Sequence, residues 1–194
     1  MKTHPSRRAH GFTLVELLVV ISIIAILAAA GFAAGNAAMN RARKVTAQAA
    51  ASGVESAVNS FYSDYGSLPD DGANQQDGGS LYTTDNGPGL DILRALLAME
   101  SGDQPRNPKK VRFLNLKEGK AKKGGIIYTP NGDNIVGLFD PWGNPYVIAL
   151  DTSYEEKLSF SRGGKSERLN GRRVAVFSAG ADKKLGTNDD VLTW

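Results

Sequence analysis

As a pattern of apolar and polar positions, the chain opens on a short, basic, polar stretch, MKTHPSRRAHG, over residues 1–11. From Phe12 the pattern turns apolar. Leu17 to Gly35 is a run of 19 residues in which only Ser22 is polar. Counted from Phe12 the stretch is 24 residues, roughly 36 Å as a helix at about 1.5 Å per residue, against a bilayer core of about 30 Å. A buried core helix in a small domain is rarely apolar on every side for so long. An ordinary secretory signal has a shorter apolar region with a small-residue cleavage site after it. A membrane helix over 12–35 is therefore the expectation. Glu16 is its one acid, and an acid inside a span costs on the order of a few kcal/mol and is usually functional. It also lies in the first turn, where a carboxylate faces the positive end of the helix dipole.

Beyond Gly35 the chain turns polar, and Asn40, Arg41, Arg43 and Lys44 mark the membrane exit. Apolar residues then recur at Val45, Ala49, Val54, Val58, Phe61, Tyr62 and Tyr65, which predicts one helical stripe with Ser52, Glu55, Asn59 and Ser63 facing away. Gly66 and Pro69 end it. One helix from Phe12 to Tyr65 is predicted, roughly 80 Å long at about 1.5 Å per residue. Residues 66–89, rich in Gly, Asp, Asn and Ser, predict a loop. Asp91 to Met99 predicts a short helix capped by Asp91. Residues 100–125 carry eight cations against three acids and predict a solvated loop, since only Phe113 supplies an aromatic for a nucleic-acid platform. Strands are predicted at 126–129, 135–139, 146–150, 158–161 and 173–178, the first two joined as a hairpin by Asn131-Gly132-Asp133-Asn134. Between them Asp140-Pro141-Trp142-Gly143-Asn144-Pro145-Tyr146 reads as a rigid corner anchored by Trp142. The expected fold class is α+β, a long helix packed on a small antiparallel sheet.

Composition narrows the chemistry. The 194 residues contain no cysteine, and the only histidines are His4 and His10. Disulfides, thiol nucleophiles, Ser-His-Asp triads and most transition-metal sites are thereby excluded from the body, and no enzymatic activity is expected. The net charge of +3 comes from Lys2, Arg7 and Arg8; the rest of the chain is balanced. A basic tail is not a basic face, so no nucleic-acid partner is expected. One acidic cluster stands out. Asp182, Asp189 and Asp190 place three carboxylates within nine residues, with Gly180 and Gly186 letting the chain fold back. Converging carboxylates repel unless a hard cation such as Ca²⁺ neutralises them; a solvated acidic turn beside Lys183 and Lys184 is the alternative.

Gly11-Phe12-Thr13-Leu14-Val15-Glu16, followed by Leu17-Leu18-Val19-Val20-Ile21, resembles the class III signal of type IV pilins and type II secretion pseudopilins. The corner at 140–146 and Tyr62-Ser63-Asp64-Tyr65-Gly66-Ser67-Leu68-Pro69 resemble segments of the major, G-type pseudopilin. The Phe177–Val191 segment resembles its calcium loop. Where many members have a proline, this chain has Ala33, so any helix break there falls to Gly31 or Gly35.

The resemblance implies a pilin-like fold with a leader at 1–11, a membrane and assembly helix at 12–35 and a periplasmic body at 36–194. It implies cleavage by a prepilin peptidase between Gly11 and Phe12, N-methylation of Phe12, and Glu16 as the partner of a neighbouring subunit's N-terminus. It further implies Ca²⁺ on Asp182, Asp189 and Asp190, with the carbonyls of Phe177 and Val191 as additional ligands. The implied role is a structural subunit of the type II secretion pseudopilus, anchored in the bacterial inner membrane. Its partners would be copies of itself, minor pseudopilins and the inner-membrane assembly platform. A type IV pilin serving adhesion or DNA uptake is the rival, and the absence of cysteine together with the acidic loop favours the pseudopilin.

Overall fold

The computed structural model describes residues 12–70, 72 and 78–194. The chain divides into two compact units, Met1–Ala42 and Arg43–Trp194. Helix α1, Leu14–Tyr65, contributes to both and passes through Gly31, Gly35 and Gly53 without ending. It stops where predicted. Gly66 takes φ +70° and returns its N–H to the Tyr62 carbonyl at 2.8 Å, a left-handed cap that glycine adopts without a Cβ penalty.

In the first unit the helix is apolar on all sides, and its described side chains from Phe12 to Phe32 are all exposed. Ser22 satisfies its hydroxyl within the helix, donating to the Leu18 carbonyl at 2.8 Å.

In the second unit α1 buries Ala47, Ala51, Val54, Val58 and Phe61. Steps of three and four residues keep these on one face. Two positions of the predicted stripe are corrected: Val45 and Ala49 are exposed. Each stands two residues from Ala47, about 200° around the helix. At this end of the row the contacts are made by Ala47 and Ala51 rather than Val45, so the sheet comes close to the helix. Tyr146, fully buried, donates its phenol O–H to the Ala47 carbonyl at 3.1 Å.

Among the described residues eight strands follow, all antiparallel in their pairings. β1 (Ser80–Thr83), β4 (Val147–Leu150), β7 (Val174–Ser178) and β8 (Val191–Leu192) form one sheet in the order β1-β4-β7-β8. β2 (Gly125–Tyr128) pairs β3 (Ile135–Phe139), the predicted hairpin. β5 (Lys157–Arg162) pairs β6 (Lys165–Asn170) from Lys157↔Asn170 to Arg162↔Lys165.

Both faces of the four-stranded sheet are covered, which explains why β4 and β7 read as continuous apolar runs. One face joins α1 and α2 (Gly87–Leu97) in the main core through Ile148, Leu150, Val174 and Val176. The other packs Val147, Ala149, Ala175 and Phe177 against Leu158 and Phe160 of the β5–β6 hairpin. There Phe160 stacks parallel to Phe177 at 5.6 Å, and Trp194 meets both edge-on.

Other expectations are revised. The loop over 66–89 contains β1 and the start of α2 (Gly87–Leu97), which begins four residues before Asp91. Pro88 suits a first helical turn. Gly89 lets that turn lie on β1, since a Cβ there would stand 1.9 Å from the Thr83 carbonyl oxygen. Asp91 is consequently inside the helix, paired to Arg94 at 2.5 Å, rather than its cap. Residues 100–125 keep their lysines exposed but are tied down beneath. Asn107 donates to the Ala95 and Val111 carbonyls at 2.8 and 2.7 Å and accepts the Tyr65 phenol O–H at 2.7 Å. Leu114 is buried in the core, and Phe113 meets Phe61 edge-on at 5.4 Å.

Candidate functional site

Two features carry candidate function, one in each unit. At the start of α1, Thr13 and Glu16 form a capping box. The Thr13 N–H and Oγ–H both donate to Glu16 Oε2 at 2.8 Å, and the Glu16 N–H donates to Thr13 Oγ1 at 3.2 Å. The box satisfies amides that have no intrahelical partner and fixes the carboxylate within the first turn. The Thr-x-x-Glu spacing of Thr13 and Glu16 is the sequence signature of such a box. Phe12 is 76 % exposed. Gly11, the other half of the expected cleavage site, lies outside the described residues.

Among the described residues no helix is long and apolar enough to cross a membrane. Described side chains run unbroken from Leu14 to Ala29, roughly 24 Å of helix at about 1.5 Å per residue. The expectation of a span rests on the sequence, which continues apolar through Gly35.

The second feature is the turn from Ser178 to Val191. Its residues are placed by the β7–β8 pairing at its base, where Ser178 opposes Val191 and Phe177 opposes Leu192. Phe177 and Val191 are thus buried in strands below the turn. Asp182 is exposed; its N–H donates to Asp189 Oδ2 at 2.8 Å, and its Oδ1 accepts the Lys184 N–H at 2.8 Å. Asp189 also accepts the Thr187 hydroxyl at 2.5 Å. Partial burial pushes the Asp189 carboxyl up. The Thr187 hydroxyl and the backbone N–H groups of Asp182, Asp189 and Ala181 outweigh that and hold it below the ordinary aspartate value. Asp190 is buried; its Oδ1 lies 3.3 Å from the same Thr187 hydroxyl, while its Oδ2 meets Arg162 and accepts the Gly186 N–H at 2.8 Å.

Among the described residues, no group of three or more carboxylates or imidazoles comes together to hold a metal ion. Asp182 and Asp189 face outward on backbone amides, and Asp190 is bound to a guanidinium. The donor set does not fit a three-carboxylate calcium site. Arg162 lies 28 residues before Asp190, and no local sequence signal marks the pair.

Beneath the turn stands the corner at 140–146. Asp140, fully buried, accepts the N–H groups of Trp142, Gly143 and Asn144 on Oδ1 at 2.7–2.9 Å. Its Oδ2 accepts the Asn144 amide at 2.8 Å and the Ser178 hydroxyl at 3.0 Å. Asn144 continues to the Gly180 carbonyl at 2.6 Å, joining corner to turn. Trp142, half-buried, packs against the main core as expected, and the fully buried Tyr146 anchors the corner beside it. Burial, then the Asp140 charge, pushes the Tyr146 phenol far above its usual value.

Residues 6–32 match the model of the prokaryotic N-terminal methylation motif. A motif of this kind at the N-terminus supports a type IV pilin-like protein. This class III signal implies a membrane-anchored N-terminus with the bulk of the chain outside. It also implies processing by a prepilin peptidase and pilus-like polymerisation of a structural subunit. A long N-terminal helix packed on antiparallel sheets is consistent with a pilin-like fold. No curated protein and no solved structure matches the chain.

Proposed function

We propose that the chain is a structural subunit of a type II secretion pseudopilus. It is cut after Gly11, N-methylated on Phe12, stored in the bacterial inner membrane and assembled into a periplasmic fibre that drives protein export. Copies of the same chain form the fibre, with minor pseudopilins and an inner-membrane assembly platform as further partners. The observation that carries this reading is the helix from Phe12 onward, exposed and apolar on every side, with one carboxylate held in its first turn. An apolar surface of this extent needs lipid or like helices around it. Cleavage after Gly11 leaves an α-ammonium on Phe12, four residues from Glu16. In apolar surroundings a carboxylate needs such a partner, on its own chain or a neighbour's.

The test is Glu16→Ala in the native host. The variant is expected to insert into the membrane as well as the parent and to be cleaved, with mass spectrometry finding Phe12 at the N-terminus. It should form few or no fibres and lose export of secreted enzymes. Normal fibres and export would refute the assembly role. Loss of surface pili with export intact would point to a type IV pilin instead.

A further inference from the structure

A carboxylate buried as deeply as Asp190, whose side chain is 1 % exposed, must be neutralised, paired or bound to a metal. The structure supplies a pairing. Arg162, at the end of β5 and itself 7 % exposed at the side chain, donates through Nη1 to Asp190 Oδ2. Through Nε and Nη2 it donates to Glu167 Oε1 at 3.1 and 2.6 Å. Glu167 is on β6, so the guanidinium lies between the β5–β6 hairpin and the C-terminal turn.

The backbones meet at the same place. A Cβ on Gly163, at φ +57°, would stand 1.9 Å from the Leu185 carbonyl oxygen, and one on Gly186 would stand 3.0 Å from the Gly163 carbonyl oxygen. The tip of the hairpin is therefore seated on the turn, and the arginine cannot swing out without separating the two. The Gly186 N–H on Asp190 Oδ2 holds the carboxylate from the turn's own side.

We propose that Arg162 is the resident cation of the C-terminal turn. Its guanidinium supplies the positive charge on Asp190, one of the carboxylates that the resemblance assigns to calcium, and the closed turn does not depend on a divalent metal. Arginine stays charged throughout the working pH range and matches two carboxylates with its fork of donors. A tethered cation of this kind is always present, whereas an ion is present only above its dissociation constant. The two remaining carboxylates, Asp182 and Asp189, face solvent and backbone amides, so their repulsion is relieved without a metal. The inference is independent of the fibre reading, which holds for a subunit with or without calcium.

The experiment is thermal melting of the full chain in detergent, in calcium, in magnesium and in chelator, followed by near-ultraviolet circular dichroism. The parent is expected to melt within about 1 °C of the same temperature in all three. Arg162→Gln leaves Asp190 buried and unpaired and is expected to lower the midpoint by roughly 10 °C. Arg162→Gln with Asp190→Asn removes both charges and should recover most of that loss. A midpoint of the parent that rises by several degrees in calcium and falls back in chelator overturns the proposal. So does Arg162→Gln melting with the parent. Should Arg162→Gln not fold, the response of the parent to calcium decides alone.

Discussion

Asp140→Ala tests how far the corner at 140–146 holds the body together. The carboxylate is fully buried and accepts five hydrogen bonds. Trp142 and Gly143 are only partly buried, so water can reach their amides once the side chain is gone. The Asn144 N–H, one Asn144 amide hydrogen and the Ser178 hydroxyl are in buried residues and would be left without acceptors. A buried unsatisfied donor costs about 1–3 kcal/mol, so a loss of about 4 kcal/mol is expected. For a chain of this size that is a fall of roughly 8–16 °C in the melting midpoint. Asp140→Asn keeps an oxygen for the three backbone amides but sets an amide against the Asn144 amide. It should lose about half as much. Circular dichroism melts of the full chain in detergent read both values. Near-ultraviolet signals should report loosening of the C-terminal turn as well, because Asn144 carries the corner to Gly180. An Ala variant melting within about 2 °C of the parent would show that water replaces the carboxylate and that the corner is held by its prolines alone.

Three further outcomes follow from named contacts. Gly163→Ala should destabilise by about 2–4 kcal/mol, since its Cβ meets the Leu185 carbonyl in a left-handed backbone; a denaturant midpoint equal to the parent's would place the hairpin away from the turn. Phe61→Ala, which empties the centre of the helix–sheet contact beside Tyr65 and Phe113, should cost about 3–5 kcal/mol by the same measurement. Asp189 titrates lower folded than unfolded, so the unfolded chain takes up the proton first. Its contribution is present above the unfolded value of about 4 and is lost as pH falls through the folded one. Asp189→Asn should flatten the decline in stability below that pH, and an unchanged acid limb would remove the carboxylate from the account.

Local sequence determined the parts of this protein whose physics is local. The apolar run from Phe12, the end of α1 at Gly66, the β2–β3 hairpin and the Pro- and Gly-rich corner were all legible. Each depends on periodicity or turn chemistry within a few residues. The Thr13–Glu16 box is legible in the same way, from a Thr-x-x-Glu spacing at the start of a helix. Tertiary structure decided what depends on partners far along the chain. Ala47 and Ala51 are core residues because Tyr146 and the sheet approach them, and alanine by itself favours neither core nor surface. β6, polar but for Leu169, is a strand because β5 supplies its ladder. β1 lies within a segment whose composition signals a loop, and it is defined by pairing with β4, nearly 70 residues on. The three aspartates of the last turn show the division most sharply. Their spacing left two readings, a bound cation or a solvated acidic turn, because crowded carboxylates repel unless they are neutralised or hydrated. Only the fold, by seating Arg162 against Asp190, supplied the positive charge on that carboxylate.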